Sequence, residues 1–175
     1  MPLLKRETDQ YPEDLFENGS LQEHPWWVMY TLARHEKKLM RQLVDLAIPF
    51  YGPTIERRYR APQGRLRQSY EPLFPNYVFV CAEEMDRYRA VCTGTVSRWL
   101  PVPRPNEFRE DLIQVRNLIA SGAALAPERR IIAGQRIRVR NGIFKGFEGT
   151  VIRRENQIRL LVYVRYMGQG ASVAL

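Results

Sequence analysis

Residues 71–80 read Glu-Pro-Leu-Phe-Pro-Asn-Tyr-Val-Phe-Val. The run is apolar, β-branched and aromatic, and its two prolines exclude a helix interior. It therefore predicts a buried strand over residues 72–80, entered through Leu73-Phe74-Pro75. Just before it, residues 54–70 (TIERRYRAPQGRLRQSY) alternate basic with apolar or aromatic side chains around Pro62-Gln63-Gly64, the pattern of a basic hairpin. Working outward, Trp26 to Leu32 reads as an aromatic-rich strand. A helix is expected from Arg34 to Ala47, where Leu39, Leu43, Leu46 and Ala47 recur at helical spacing. Pro49 to Tyr51 is extended. Beyond the central run come a short helix near Glu83 to Cys92, a strand near Val96 to Val102 and a helix from Glu107 to Ala120, capped by Asn106 and ended by Gly122. The order β-α-β-β-β-α-β-α describes an α+β domain, an antiparallel sheet flanked by helices.

A second pattern follows at residues 132–175. Arg136 to Arg140 alternates strictly, and Val151 to Arg154 and Ile158 to Tyr166 read as further strands. Asn141-Gly142, Glu155-Asn156 and Gly168-Gln169-Gly170 mark turns. About 45 residues of short strands suggest a small β-barrel, with Gly142, Gly146 and Gly149 supplying positive φ or bulges. The expected organisation is a loosely ordered acidic leader over 1–24, a first domain over 25–121, a linker over 122–131 and the barrel over 132–175.

Charge divides the same way. The chain has 27 basic and 19 acidic residues, net +8, yet residues 1–25 carry 2 basic and 6 acidic side chains. The body is thus +12 behind a −4 leader, and 23 of the basic residues are arginine, whose planar fork suits phosphate. On the first helix, Arg34, Lys37, Lys38 and Arg41 lie three or four residues apart and form a basic stripe, with Gln42 beside it. In the hairpin, Arg57, Arg58, Arg60, Arg65 and Arg67 interleave with Tyr59 and Tyr70, chemistry suited to a phosphate backbone and unstacked bases. A solvated face would carry similar charge.

The same composition argues against other classes. No stretch reaches the roughly 18 apolar residues of a membrane span, and residues 1–20 lack a secretory pattern, so the cytoplasm is expected. Cys81 and Cys92 read as buried thiols. With His24 and His35 the only histidines, and no CxxC, phosphate-cradling loop or nucleophile elbow, neither an enzyme nor a metal or cofactor site is expected.

Two motifs together resemble one family. Val139 to Val151, with Gly142, Gly146 and Gly149, matches the KOW motif. Trp26-Trp27-x-x-Tyr30, His35-Glu36-Lys37-Lys38 and Glu71 to Tyr77 resemble the N-terminal domain of the NusG family of transcription elongation factors, in order and spacing. Asn76, where general NusG usually has glycine, makes the run similar to the operon-specific RfaH-like paralogues. The helix around Asp86-Arg87-Tyr88 lacks those paralogues' His-Thr-Thr triplet, and Gly149 favours a permanent barrel over a switching helical hairpin.

The resemblance implies a monomeric factor that binds the β-prime clamp helices of RNA polymerase through Tyr30, Phe74, Pro75 and Tyr77, suppresses pausing and modulates termination or antitermination. It implies non-template or upstream DNA against the basic stripe, and the NusE ribosomal protein or Rho against Phe144, Phe147, Tyr166 and Met167. The last residues, Ala171 to Leu175, depart from the family's acidic final strand, so a less complete barrel is expected. The alternative reading is a KOW-containing ribosomal or free RNA-binding protein.

Overall fold

The computed structural model describes residues 6–175. Contacts divide the chain into two compact units, Met1–Pro103 and Arg104–Leu175.

The first unit is built on a five-stranded antiparallel sheet in the order β1-β3-β6-β2-β7, from β1 (Gln10–Tyr11), β2 (Trp26–Thr31), β3 (Phe50–Tyr51), β6 (Tyr77–Cys81) and β7 (Val96–Pro101). A separate two-stranded hairpin joins β4 (Thr54–Arg60) to β5 (Leu66–Pro72). Because strand side chains alternate, the sheet has two apolar faces. On one, Met29, Phe50, Val78 and Val80 pack with Leu39, Met40 and Leu43 of α1 (Glu36–Asp45) and Ala90 of α2 (Glu84–Val91), all essentially buried.

Helix α1 ends for a local reason. Ala47 takes a left-handed φ of 54°, Ala47 N–H donates to Val44 O, and Ile48 N–H donates to Leu43 O at 2.9 Å. This is a Schellman ending, and Ile48, fully buried, closes it before Pro49.

The other face explains the leader. Leu15, Phe16 and Leu21 are 0%, 4% and 8% exposed. Phe16 stacks on Trp26 at 6.0 Å and meets Tyr51 edge-on at 5.3 Å, while the Cys81 thiol approaches Leu21 O. Residues 10–11 add a strand to the sheet edge, pairing Gln10 with Tyr51 and Tyr11 with Phe50. The described part of the leader is therefore anchored on the core through Leu15, Phe16 and Leu21, not a loose tail. Its apolar residues show no period because they belong to turns, which impose none.

The second unit contains α3 (Pro105–Ala120) and a five-stranded antiparallel sheet in the order β8-β12-β11-β10-β9. The strands are β8 (Leu125–Glu128), β9 (Gln135–Arg138), β10 (Glu148–Arg154), β11 (Gln157–Val164) and β12 (Gln169–Ala174). The fold class is α+β with a β-rich C-terminal part, as the sequence indicates.

Several boundaries differ from expectation. Helix α3, assigned to the first domain, packs on β11 and belongs with the second unit. Pro105 occupies its first turn, where fixed φ favours helix entry, and Arg104, not Asn106, holds the cap position. The stretch read as a linker supplies β8, and the final residues form β12, hydrogen-bonded on both sides to β8 and β11. Gly149 is required by crowding: a Cβ there would strike Leu161 O. Gly142 and Gly146 do hold positive φ, 87° and 92°. Of the two thiols, Cys81 is buried and Cys92 exposed, and both are free.

Candidate functional site

The expected strand over 72–80 is divided: Pro72 ends β5, residues 73–76 form a tight turn, and β6 follows from Tyr77. Asn76 sits at φ 70°, a left-handed position that asparagine tolerates and glycine fills more easily. Two bonds hold it. Asn76 N–H donates to Glu36 Oε1 at 2.7 Å, and Asn76 O accepts from Thr31 N–H at 2.8 Å. Glu36 is 8% exposed and lies in the first turn of α1, so its carboxylate ties the helix start to the turn. Sequence reading passed over it as one member of a charged helix; its acidic character at a helix start was the available signal, and its partner 40 residues away was not legible.

This turn presents Pro75, which is exposed, and Tyr77, which is half-buried. Tyr77 pairs across strands with half-buried Tyr30, their rings 5.2 Å apart and edge-on. The Arg98 guanidinium lies 5.0 Å from the Tyr30 ring centroid. Phe74 differs from its three companions: it is 1% exposed and meets Phe79 edge-on at 5.4 Å, so its ring is core. The structure thus brings Tyr30, Pro75 and Tyr77 together, with Phe74 beneath them.

Around α1, Arg34 and Lys38 are exposed and Lys37 is half-buried, and none of the three has a carboxylate partner among the described residues. Arg41 differs, since its guanidinium donates to Glu7 of the leader at 2.6 Å. Gln42 turns inward, donating to Thr93 O and accepting from the Thr95 hydroxyl. The stripe is therefore Arg34, Lys37 and Lys38, with Arg41 shared with the leader. Further leader bonds run to the base of the hairpin, where the Thr54 hydroxyl donates to Asp9 and Arg6 lies over the Tyr70 ring.

The hairpin carries graded charge. Near its base, Arg57 pairs with Glu71 at 3.2 Å and Arg58 with Glu56 at 2.6 Å. The bond to Glu56 raises the Arg58 pKa above its ordinary value. Arg60, Arg65 and Arg67, nearer the tip, have no side-chain partner among the described residues.

In the second unit the four expected contact residues separate. Phe144 is 7% exposed and meets Phe147 edge-on at 6.2 Å, whereas Phe147 and Met167 are half-buried. Tyr166 is 40% exposed, yet one side of its ring meets Phe108 of α3 at 6.1 Å. Next to it, Arg165 forks onto buried Asp111 and reaches Glu107 at 2.6 Å. Hydrogen bonding to Asp111 raises the Arg165 pKa. Between α3 and the Arg138–Glu148 segment lies a cleft of about 760 Å³, with Ile113, Gln114, Ile143 and Phe147 in its lining.

Among the described residues no group of His, Cys, Asp or Glu is arranged to hold a metal, and no helix is long and apolar enough to cross a membrane.

The family pattern described as transcription termination factor NusG matches residues 24–127. The chain is 27% identical over 165 residues to the transcription termination/antitermination protein NusG of Lactococcus lactis, covering 86% of this chain and 88% of that one. It is 26% identical over 171 residues to the protein of the same name from Pseudomonas aeruginosa, covering 86% and 93%. On the family match, which spans more than half of the chain, this protein belongs to the NusG family of transcription factors.

Proposed function

We propose that this chain is a cytoplasmic, monomeric elongation factor that docks on the β-prime clamp helices of RNA polymerase through Tyr30, Pro75 and Tyr77. Binding there bridges the cleft over DNA, keeps the clamp closed, reduces pausing and shifts the balance at terminators. The observation that carries the reading is the half-exposed Tyr30–Tyr77 pair beside a turn pinned by Glu36. Two tyrosines packed edge-on against each other offer apolar area at a small cost in side-chain entropy, the usual make-up of an interface anchor. Arg34, Lys37 and Lys38 then face upstream or non-template DNA, with Arg41 joining them when Glu7 yields it. Phe147, Tyr166 and Met167 form the patch for a further partner, the NusE ribosomal protein or Rho. Asn76, where general NusG usually has glycine, supports a specialised, RfaH-like role for the chain.

Capture of core RNA polymerase by the tagged chain tests this. Wild type binds, and the Tyr30→Ala/Tyr77→Ala double variant, checked for folding, does not. Equal capture by both refutes the docking surface. Failure of both to capture polymerase, with ribosomal RNA retained, moves the chain to the KOW-type RNA-binding alternative.

A further inference from the structure

The hairpin tip has a chemistry that the polymerase reading does not use. Seven cross-strand pairs run from Thr54↔Pro72 to Arg60↔Leu66, and among the described residues no third strand pairs with either side. From Glu56 to Arg60 and from Leu66 to Gln68 every residue is exposed. At about 3.3 Å per residue, this makes an arm about 15 Å long, bare on both faces. Its loop is well defined: Gly64, at φ 78°, donates to Ala61 O at 2.8 Å, and Ala61 N–H donates to Arg65 O at 2.9 Å.

Charge and apolar surface concentrate at the same end. Arg57 and Arg58 are matched by Glu71 and Glu56, so the base is neutral overall, whereas Arg60, Arg65 and Arg67 leave the tip at +3. Tyr59 is 49% exposed and sits directly across from Arg67, while Leu66, 73% exposed, sits across from Arg60 on the opposite face. Tyr59 and Leu66 thus set a ring and an apolar side chain in the open beside guanidinium groups that have no side-chain partner among the described residues. A duplex answers the charge but keeps its base faces stacked inward. A single strand offers both phosphates and unstacked bases.

We propose that the tip of the β4–β5 hairpin is a contact site for single-stranded nucleic acid, in which a base stacks on Tyr59 with Arg67 beside it on the same face, while Arg65 at the loop and Arg60 on the opposite face hold phosphates where the strand passes around the tip. The inference rests on the reading of the first unit as a factor that meets nucleic acid, and it assigns the arm a contact of its own, separate from the α1 stripe. Leu66 covers the sugar or base edge on the other face.

The test uses the full chain and fluorescein-labelled probes of about 20 nucleotides, oligothymidylate, oligouridylate and a matched duplex, titrated over a range of salt. Wild type binds at least one single strand more tightly than the duplex, and the preference between thymidylate and uridylate identifies the natural strand as DNA or RNA. Tyr59→Leu, which keeps an apolar side chain but no ring, loses about tenfold in single-strand affinity with the salt slope unchanged and duplex binding unaffected. The triple change Arg60→Gln/Arg65→Gln/Arg67→Gln flattens the salt slope by about 2. Lys37→Gln/Lys38→Gln on α1 leaves the Tyr59 effect intact.

Wild-type affinity in Tyr59→Leu overturns the stacking contact. An unchanged salt slope in the triple variant overturns the site altogether, as does loss of binding only on changing α1. Tighter binding of duplex, insensitive to Tyr59, makes the arm a duplex contact and also overturns the proposal. Polymerase capture run in parallel separates this from the docking surface, since the hairpin variants retain capture if that surface is as described.

Discussion

Replacing Glu36 isolates the contact that joins the basic helix to the docking turn. The carboxylate is 8% exposed and accepts from Asn76 N–H at 2.7 Å. A hydrogen bond to a charged acceptor contributes about 1.5–3 kcal/mol, against about 1 kcal/mol for a neutral one. A carboxylate in the first turn of α1 adds about 0.3–1 kcal/mol through the helix dipole. Glu36→Gln keeps an acceptor but no charge and should cost about 1–2 kcal/mol; Glu36→Ala, which strands the Asn76 amide, should cost about 2–4 kcal/mol. Urea unfolding followed by tryptophan fluorescence reads this directly, because Trp26, Trp27 and Trp99 all lie in the first unit. The midpoint should fall with an unchanged slope, and the Asn76 amide should exchange faster with solvent. Polymerase capture should weaken in step, since the turn sets where Pro75 and Tyr77 point. An alanine variant within about 0.5 kcal/mol of wild type, with Asn76 equally protected, would refute the claim that Glu36 holds the turn.

Three further outcomes are expected. Phe16→Ala should destabilise the first unit by about 3–5 kcal/mol in the same urea assay, because it removes a buried ring stacked on Trp26; a loose leader would give under about 0.5 kcal/mol. Asn76→Gly should be tolerated at φ 70°, whereas Asn76→Val should cost about 1–2 kcal/mol, measured by the same midpoint shift. Gly149→Ala, whose Cβ would meet Leu161 O, should cost about 1–3 kcal/mol and lower the calorimetric Tm of the second unit while the tryptophan transition of the first stays in place.

What the sequence disclosed depended on the range of the signal. Elements with their own periodicity, β2, α1, the β4–β5 hairpin and α3, lie within a few residues of where apolar spacing and turn residues put them. Glu155-Asn156, both at positive φ, form the two-residue turn their sequence suggests. The leader, β8 and β12 were missed because short strands and turn-borne core residues are stabilised by partners far along the chain, such as Trp26 for Phe16 and Glu128 for Gly170. The helix at 105–120 was legible as a helix, but its apolar face says only that it is covered, not by which sheet. Likewise the family resemblance marked Tyr30 and Tyr77 as candidates, while burial separated them from Phe74. The unpaired state of Arg60, Arg65 and Arg67 was hidden too, because Glu56 and Glu71 choose their partners through strand register.

The family pattern begins to match at residue 24, which invites work on a fragment starting there. Such a fragment would lack β1, whose pairing occupies the outer edge of β3, and would lack Leu15, Phe16 and Leu21 over Trp26 and Tyr51. What remains is an open strand edge beside an uncovered aromatic face, a combination that favours self-association between copies. The shortened protein should therefore form dimers or precipitate at concentrations where the longer chain stays dispersed. Apparent binding measured with it would mix stickiness at the bare edge with recognition at the turn.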